Sequence, residues 1–343
     1  MASAAFDNPE KRASIRAFLH RQLFVTPPVP RDVDLRGKAA IVTGSNAGLG
    51  LECARQLLDL GASKLIIAVR NETKGEAART NLLSAGKFKD ATIDVWKLDL
   101  ESYESIAIFV ERAKALEHLN IVVLNAGVMQ HEHSLNSSTG HEQTVQINLL
   151  STALLTILLL PVLKAKNTSE SPGRIALVSS DMASWAKLTA ASTPVLPTMD
   201  KKEGYHIFGH YNASKLLAQL FVFQLSQQVP PSVAIVTMPN PGLCYGTGLG
   251  LAAPGGSIAD RIAAIPKRIL GRSTSVGARV LTDAVVKHGV EAHGQYVEDC
   301  KVQPMAPIAY QPAGEKLRQA LWDELLKELA AYHVDEILRD LTR

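Results

Sequence analysis

Lys38-Ala-Ala-Ile-Val-Thr-Gly-Ser-Asn-Ala-Gly-Leu-Gly50 is the stretch that decides the fold of this chain. It begins with the apolar run Ala39–Val42, passes three glycines, and continues into Leu51–Leu60, where apolar residues recur at helical spacing. The stretch therefore predicts a buried strand, a tight turn and a helix. Glycines there let the backbone approach a pyrophosphate, which the positive end of the helix attracts. The spacing Gly-x-x-x-Gly-x-Gly fits a purely structural bend equally well.

Further strands follow at regular intervals. Short apolar runs are separated by segments of helix length: Leu65–Val69, Ala91–Leu98, Ile121–Asn125, Arg174–Ser179 and Val233–Met238. Strands that are apolar on both faces need helices above and below the sheet. The pattern predicts an α/β fold, a Rossmann-type doubly wound parallel sheet with helices on both faces. Ligands of such sheets bind at the carboxyl ends of the strands, so residues directly after a strand are candidate site residues.

Composition excludes several classes of function. The chain of 343 residues has a formal net charge of +3 and 20% charged residues, which argues against a nucleic-acid partner. Scattered cysteines at positions 53, 244 and 300 fit a reducing compartment, and residues 1–12 lack a secretory signal, so we expect a cytoplasmic protein. The most apolar segment, Leu149–Leu163, is shorter than the roughly 20 residues needed to span a bilayer. We predict a core helix and no stable membrane insertion.

Helical extensions flank the predicted sheet domain. Residues 1–36 form an N-terminal helical arm and a proline-rich linker, and residues 311–343 form a C-terminal helical tail. Each carries an apolar helical face, made by Ile15, Phe18, Leu19 and Leu23 in the arm and by Leu317, Leu321, Leu325 and Leu329 in the tail. We expect these faces to dock on their own domain, in a monomer, or on the second subunit of a homodimer. Reversible contact with a membrane surface is the alternative for the arm.

Two charged residues directly follow predicted strands. Arg70 occupies the place where an NAD enzyme carries an acidic residue for the ribose 2'-hydroxyl. A guanidinium pairs with a 2'-phosphate, and we expect no Asp or Glu nearby to repel that phosphate, which favours NADPH over NADH. A surface arginine is the alternative. Asp99 can accept a hydrogen bond from the adenine amino group or cap the helix that starts near Glu101.

Small and amide residues mark the middle of the crevice. Asn125-Ala126-Gly127 ends the fourth strand, where small side chains leave room for the cofactor's ribose and nicotinamide, although an ordinary turn has the same composition. Asn148 lies inside the helical run Thr144–Thr156. Asparagine is a poor helix former, which suggests a task for its amide, such as holding water at a distorted turn.

The pair Tyr211 and Lys215 carries chemistry. Its i to i+4 spacing puts both side chains on one face of a helix that Tyr211 is predicted to open. A phenol with a pKa of about 10 becomes a workable general acid and base when a neighbouring ammonium lowers that pKa by about 2 to 3. Ser179 and Ser180 end the fifth strand, where a hydroxyl can hold a substrate carbonyl beside the phenol. Without this context the pair fits a surface helix as well.

In their order along roughly residues 36–300, these motifs resemble the short-chain dehydrogenase/reductase family. The matching set is Thr43-Gly44 to Gly50, Asp99, Asn125-Ala126-Gly127, Asn148, Ser180, Tyr211 with Lys215, and Pro241-Gly242. Within the family the chain is similar to the retinol-dehydrogenase-like branch and to fungal polyketide-pathway ketoreductases. That similarity lies in Arg70-Asn71 with Lys74-Gly75, in Asn125-Ala126-Gly127-Val128-Met129 and in Gly294-Gln-Tyr-Val-Glu-Asp-Cys300.

The resemblance implies that residues 37–310 form an NADP-binding catalytic domain. Tyr211 would give a proton to the substrate oxygen as hydride leaves the nicotinamide, and Lys215 would bias its pKa and bind the nicotinamide ribose. Ser180 would orient the carbonyl, and Asn148 would hold a water molecule in the proton relay. The residues expected to bind the cofactor are Gly44, Ser45, Asn46, Gly48, Leu49, Gly50, Arg70, Asp99, Leu100, Asn125, Ala126, Gly127, Tyr211, Lys215, Pro241, Gly242 and Thr247.

The chain departs from the family pattern at the substrate end. The interval from Ser180 to Tyr211 is longer than usual, and its extra residues, which include Met182, Trp185, Leu188 and Ile207, predict an enlarged, partly apolar lid at about 183–210. A glycine-rich segment at 245–272 is a second predicted lid. After Pro241-Gly242 the usual threonine position holds Gly246, and Thr247 falls one residue late.

Together these features predict an NADPH-dependent reductase of a ketone or aldehyde on a hydrophobic, polyketide-like substrate. We expect no metal, since neither a strand nor a helix would bring His131, Glu132 and His133 together. One alternative is an NADP-dependent dehydrogenase of a retinoid- or steroid-like alcohol. Others are an epimerase or dehydratase using the same site, and an NADP-binding scaffold without turnover.

Overall fold

One sheet forms the centre of the protein, of which the computed structural model describes residues 8–84, 86–249, 268 and 270–342. Its strands are β1 Ala39–Thr43, β2 Lys64–Val69, β3 Thr92–Lys97, β4 Ile121–Leu124, β5 Gly173–Leu177, β6 Ala234–Asn240, β7 Gln295–Glu298 and β8 Lys301–Gln303. Their order is β3-β2-β1-β4-β5-β6-β7-β8. All neighbours pair in parallel except β7 and β8, which are antiparallel. The strand order reverses between β1 and β4, which opens a ligand crevice at their carboxyl ends.

Helices cover both faces of the sheet. In chain order they are Pro9–Ala13, Ile15–Phe24, Gly48–Asp59, Glu72–Ser84, Tyr103–Lys114, Gln143–Val145, the π-helical turn Gln146–Ser151, Thr152–Lys166, Val195–Met199, Ile207–Gln228, Thr274–Val286, Pro312–Glu328 and Val334–Leu341. Successive residues of β1 point to opposite faces, where Ile41 joins one hydrophobic cluster and Ala40 and Val42 join another. The prediction of a doubly wound sheet is confirmed. The helix after the glycine turn begins at Gly48, earlier than the sequence-based start at Leu51.

The sequence pattern does not predict β7 and β8. These strands are short, and polar residues such as Gln295, Glu298 and Lys301 interrupt their apolar pattern. Pairing with β6 brings β7 into the sheet, with Asn240 opposite Glu298. A carboxylate therefore lies at the carboxyl edge of the sheet, beside the crevice.

The most apolar segment is a core helix, as predicted. The continuous helix Gln143–Lys166 is long and apolar enough to cross a membrane, but 89% of its most apolar window is buried inside the protein. Leu150, Leu154 and Leu160 are among its fully buried residues. This apolar character reflects burial against the sheet on one side and other helices on the other.

The N-terminal arm docks with its polar side inward. In the helix Ile15–Phe24 the buried residues are Arg21 and Gln22, whereas Ile15 and Phe24 are 67% and 75% exposed. The predicted apolar face docks only in part, since Leu23 is also exposed, at 51%, while Phe18 packs on Trp185. The reason is local chemistry, because the arm lies on the polar carboxyl edge of the sheet, where carboxylates and carbonyl oxygens accept hydrogen bonds from these side chains. Burial of polar groups is tolerated where such partners exist.

The C-terminal tail docks with its apolar side inward. Leu317, Leu321, Leu325 and Leu329 are all buried in the same hydrophobic cluster as the apolar residues of the helix Ile207–Gln228. The second tail helix packs on the core helix Thr152–Lys166 through Val334, Leu338 and Leu341, which belong to that cluster. Of the alternatives open from sequence, the tail therefore uses the body of its own chain.

Candidate active site

The glycine turn holds its shape through backbone contacts. Gly44 and Gly48 adopt φ of 64° and 61°, in the left-handed region that favours glycine. Ser45 is buried and donates its hydroxyl to the Val42 carbonyl oxygen at 2.7 Å. Ala47 precedes the helix and makes no side-chain cap hydrogen bond, so no N-cap side chain occupies the first N–H groups of the helix. Asn46 and Leu49 are half-buried in the same turn.

The end of β4 is tied to this turn. Asn125 donates its side-chain amide to the Thr43 carbonyl oxygen at 2.9 Å, and the Ala126 N–H donates to the Thr43 hydroxyl at 3.0 Å. A Cβ at Gly50 would lie 2.5 Å from Asn125 Nδ2 and 2.7 Å from the Gly44 carbonyl oxygen. Glycine at position 50 is therefore needed for close approach of helix and strand, and its φ is ordinary.

Asn148 lies in the π-helical turn Gln146–Ser151, which is the distorted helix that its presence suggested. Its Oδ1 accepts from the Val128 N–H at 2.8 Å, and its Nδ2 donates to the Val128 carbonyl oxygen at 2.8 Å and to Ser214 Oγ at 3.0 Å. A Cβ at Gly127 would lie 3.1 Å from Asn148 Oδ1 and 3.7 Å from Lys215 Nζ. Asn148 thus joins the end of β4 to the helix Ile207–Gln228.

Tyr211 and Ser180 meet at the carboxyl edge. Tyr211 lies in the second turn of the helix Ile207–Gln228, which therefore begins one turn before the predicted start. Its phenol lies near enough to the Ser180 hydroxyl for that hydroxyl to lower the pKa of the phenol. Ser180 also accepts from the Met182 N–H at 3.2 Å, whereas Ser179 is buried and accepts from Gln219 Nε2 at 3.0 Å. Ser180 is therefore the serine that reaches the tyrosine.

Lys215 lies one turn along from Tyr211, with its Nζ 5.8 Å from the centre of the phenol ring. Its ammonium donates to the Val178 carbonyl oxygen at 2.8 Å. Burial lowers the pKa of Lys215 to about 8. Burial also raises the pKa of Tyr211 to about 12, although the nearby Ser180 hydroxyl opposes this. The sequence-based expectation of a lowered tyrosine pKa is wrong here, because desolvation of the phenolate outweighs the neighbouring groups.

Arg70 lies at the end of β2 with an acidic partner. Its guanidinium forms an ion pair with Glu101, and the side chains are 67% and 37% exposed. The assumption that no Asp or Glu lies nearby is therefore wrong. The sequence distance of 31 residues hid this contact, which arises because β2 and β3 are neighbours. Exposed ion pairs of this kind contribute about 0 to 1 kcal/mol to stability. An anion of higher charge, such as a phosphate, can therefore displace Glu101 from Arg70.

Asp99 does not cap the following helix. Its Oδ1 accepts from the Glu101 N–H at 3.0 Å, while Ser102 caps Tyr103–Lys114 by accepting from the Ser105 N–H. Of the two roles predicted for Asp99, adenine contact or helix cap, the helix cap is therefore wrong. Leu100 is buried next to it, and its carbonyl oxygen accepts from Ser151 Oγ at 2.5 Å.

The loop after β6 lies across from the glycine turn. Pro241 is buried and Gly242 has a φ of 75°, while Thr247 lies so near the turn that a Cβ at Gly48 would be 3.6 Å from its Cα. Thr247 Oγ1 donates to the Cys244 carbonyl oxygen at 3.5 Å. Most of the second predicted lid, 250–267 and 269, lies outside the described residues.

The first predicted lid, 183–210, is fastened to the tail. Glu324 accepts hydrogen bonds at 2.7 Å from the N–H groups of both Val195 and Leu196, which begin the lid helix Val195–Met199. Asp200 ends this helix and faces His141 Nδ1 at 2.9 Å. Nearby, His133 Nε2 lies 3.0 Å from the Asp200 carbonyl oxygen. Across residues 8–342, apart from the masked positions, no group of His, Cys, Asp and Glu has the arrangement of a metal site.

A charged network behind Ser180 escaped sequence reasoning. Asp181, Asn240 and Glu298 follow or end β5, β6 and β7. Asn240 donates to both carboxylates, the arm residue Arg21 binds both as well, and Arg12 binds Glu298. The available signal was the place of Asp181 next to Ser180, four residues after the end of β5. The partners of that carboxylate are 160 residues away in sequence for Arg21 and 59 for Asn240, and no local pattern links them.

Comparison with known proteins identifies the class that this fold and site define. A family model for short chain dehydrogenases matches residues 38–192. The chain is 46% identical over 349 residues to short-chain dehydrogenase fogG of Aspergillus ruber, a match that covers 99% of this chain and 100% of that protein. It is 39% identical over 346 residues to short chain dehydrogenase virL of Hypocrea virens, and the match covers 100% of both chains. The protein belongs to the short-chain dehydrogenase family, an oxidoreductase family, and the resemblance seen in its motifs is confirmed.

Solved structures share the fold. A short chain dehydrogenase from Salmonella enterica serovar Typhi has a TM-score of 0.57 at 20% identity, covering 79% of this chain and 98% of that one. A short chain dehydrogenase from Shigella flexneri, solved in complex with NADP, has a TM-score of 0.56 at 18% identity and covers 79% and 100% of the two chains. The likeness extends to the Rossmann-type sheet with its helices.

Proposed function

We propose that the protein is an NADPH-dependent reductase of a ketone or aldehyde on a hydrophobic substrate, working reversibly. The observation that carries this proposal is the placing of Tyr211 and Lys215 one helical turn apart, with Lys215 Nζ 5.8 Å from the centre of the phenol ring and the Ser180 hydroxyl near enough to lower the pKa of that phenol. These groups lie at the carboxyl edge of the sheet, where a proton donor beside a bound carbonyl is chemically useful. The Asn148 amide links their helix to the end of β4.

The glycine turn fits a dinucleotide. A side chain at Gly44 would meet Ala126 Cα at 3.0 Å, and the helix that starts at Gly48 has no side-chain cap, so its N–H groups suit a pyrophosphate. Arg70 would hold the 2'-phosphate of NADPH in place of Glu101. The bound cofactor would supply hydride from its nicotinamide. The NADP complex of the Shigella flexneri protein supports this choice of cofactor.

Tyr211 supplies the proton. With its pKa raised to about 12, the phenol is protonated at neutral pH and donates to the carbonyl oxygen as negative charge develops there. The Ser180 hydroxyl donates its one proton to that oxygen and so orients it, while transfer of the Tyr211 proton leaves a phenolate. Lys215 has a pKa of about 8, so its ammonium predominates at neutral pH and stabilises the same phenolate. In alcohol oxidation Tyr211 takes the proton back.

A lipophilic substrate is supported by the side chains around Ser180. Met182, Trp185 and Leu188 lie half-buried in the lengthened segment after β5. A polyketide-like substrate, and with it a role in secondary metabolism, rests on similarity to fungal family members. We also propose a cytoplasmic protein, as a monomer or homodimer, and the packing of the tail on its own chain favours the monomer.

The experiment is a screen of lipophilic ketones, aldehydes and alcohols by absorbance at the nicotinamide band, with NADPH and NADH. Tyr211→Phe should lower kcat by about 100- to 10,000-fold, because general acid catalysis is lost, while NADPH binding is retained. Tyr332→Phe, at a half-buried tyrosine in the tail, is the matched control and should keep full activity.

Other outcomes would select other functions. Full activity of Tyr211→Phe would exclude the proposed mechanism. Product formation without net cofactor consumption would indicate an epimerase or dehydratase. NADPH binding without turnover of any substrate would indicate a scaffold, and activity limited to retinoid- or steroid-like alcohols would indicate the alcohol dehydrogenase.

A further inference from the structure

The residue after Ser180 is held by the N-terminal arm. Asp181 Oδ1 accepts from Arg21 Nη2 at 2.7 Å, and Asp181 Oδ2 accepts from Asn240 Nδ2 at 2.9 Å. The side chains of Arg21 and Asp181 are 10% and 11% exposed. Because both oxygens of the carboxylate are engaged and nearly excluded from water, its position is closely defined.

A second contact fastens the same turn. Ser180 starts the short 3-10 turn Asp181–Trp185, and at its end Trp185 Nε1 donates to the Ala13 carbonyl oxygen at 2.9 Å. The Trp185 ring also packs edge-on against Phe18, with ring centres 5.4 Å apart. On its other side the turn contacts the helix Ile207–Gln228, where Asn212 Nδ2 lies 3.5 Å from the Trp185 carbonyl oxygen. The turn therefore lies between the arm and the helix that carries Tyr211.

We propose that the N-terminal arm sets the position of the Ser180 hydroxyl, with Arg21 as a positioning residue that acts through Asp181. The inference rests on the proposed function, in which Ser180 orients the carbonyl toward Tyr211. Ser180 has extended backbone geometry and caps the turn through its hydroxyl, so displacement of Asp181 moves that hydroxyl relative to the phenol. Small displacements of this kind are costly for catalysis.

The position of the turn Asp181–Trp185 depends on positive charge that the arm supplies. Glu298 lies beside Asp181 at the end of β7, and it binds Arg12 and Arg21, the latter with Nε 3.1 Å from Oε1. Burial and the neighbouring Asp181 raise the pKa of Glu298, while the two guanidiniums oppose this. Without Arg21, Asp181 would lose a buried hydrogen-bond donor and Glu298 one of its two cationic partners, and we expect the turn to shift away from its docked position.

The test is a cycle of variants in the full-length chain. Arg21→Met should lower kcat/KM for a carbonyl substrate by about 100-fold and change NADPH affinity by less than about twofold. In the background of Ser180→Ala the same substitution should cost less than about threefold, because the hydroxyl that Arg21 positions is absent. The matched control is Arg16→Met, at an exposed arginine of the same helix, which should leave activity unchanged.

An equal loss from Arg21→Met in both backgrounds would overturn the inference, since a purely structural role predicts it. So would full activity of Arg21→Met. If Ser180→Ala itself keeps full activity, the proposed mechanism fails, and this inference with it. Should Arg21→Met not fold, Trp185→Phe supplies the same cycle. It removes the hydrogen bond to Ala13 and part of the ring that packs on Phe18, and we expect a loss of about threefold with Ser180 present and none with Ser180→Ala.

In the direction of alcohol oxidation, the pH profile gives an independent readout. The Ser180 hydroxyl lowers the pKa of Tyr211, so its displacement by Arg21→Met should move the acidic limb of kcat/KM to higher pH. A profile with an unmoved limb would contradict the proposed action through Ser180.

Discussion

The two ends of the crevice are built in different ways. The cofactor end is formed by main-chain atoms and by glycines, whose lack of a side chain allows close packing. A side chain at Gly44 would meet Ala126, and one at Gly50 would meet Asn125. At the substrate end, charged side chains from distant segments make the site, with Arg21 bound to Asp181 and Arg12 bound to Glu298 across 160 and 286 residues of sequence. A site made of backbone leaves a local motif in the sequence, whereas a site made of distant charges leaves none.

The largest expected effect tests the backbone half of this comparison. Gly50→Val would place its Cβ 2.5 Å from Asn125 Nδ2 and 2.7 Å from the Gly44 carbonyl oxygen. The second of these is main chain and gives way poorly, so we expect a loss of about 3 kcal/mol in the free energy of unfolding. NADPH binding should be lost as well, measured by titration of cofactor fluorescence. Gly209→Ala, at an exposed glycine whose Cβ would lie 3.6 Å from its nearest neighbour, is the control. Normal stability and binding in Gly50→Val would contradict the argument.

The next effect concerns Arg70, a charged side chain at the cofactor end, which is otherwise formed by main-chain atoms and glycines. Arg70→Ala should weaken NADPH binding by about 10- to 100-fold, the value of a charged hydrogen bond, and leave NADH binding unchanged. Dissociation constants for both cofactors provide the measurement. Arg36→Ala, at an arginine that is 82% exposed and paired with Asp34, should change neither. An unaltered ratio of the two constants would remove the basis for NADPH preference.

A third effect tests how the substrate-side lid is fastened. His141 lies between Asp200 and Glu328, with nitrogen to oxygen distances of 2.9 and 3.3 Å, and these carboxylates raise its pKa to about 9. An unfolded histidine titrates near pH 6.5, at about its reference pKa. The folded state therefore gains stability that is complete below about pH 6.5 and is lost as pH rises through 9, on the order of 1 to 3 kcal/mol.

Urea unfolding between these pH values measures that contribution. His141→Asn should flatten the decline of stability from pH 6.5 to 9 seen in the wild type. His118→Asn, at a histidine that is 56% exposed, should reproduce the wild-type decline. Parallel curves for His141→Asn and the wild type would show that the lid is not held by this charge.

The smallest effect refines the cofactor end. Glu101 holds Arg70 through an exposed ion pair that the 2'-phosphate would have to displace. Glu101→Gln should therefore tighten NADPH binding by about twofold, in keeping with the low value of surface pairs. Glu104→Gln, at an exposed glutamate on the adjoining helix, is the control. Weaker NADPH binding in Glu101→Gln would indicate that Glu101 supports Arg70.

The fold was largely predictable because its signals are local and repeated. Each strand from β1 to β6 is a short apolar run followed by a helix-length segment, and the parallel order follows from that alternation. The strands β7 and β8 lack the signal because they are short and partly polar. The arm shows the opposite error, since its apolar face was visible but the polar partners that bury Arg21 and Gln22 were not.

By itself the sequence determined the doubly wound sheet, the glycine turn and the order of Ser180, Tyr211 and Lys215 along the chain. Backbone conformation and helical spacing depend on near neighbours, so the sequence carries them directly. Only the tertiary structure decided that Arg21 meets Asp181, that Glu101 meets Arg70, and that burial raises the pKa of Tyr211. Ion pairing and desolvation depend on which surfaces meet in space, and those surfaces come from segments that no local pattern connects.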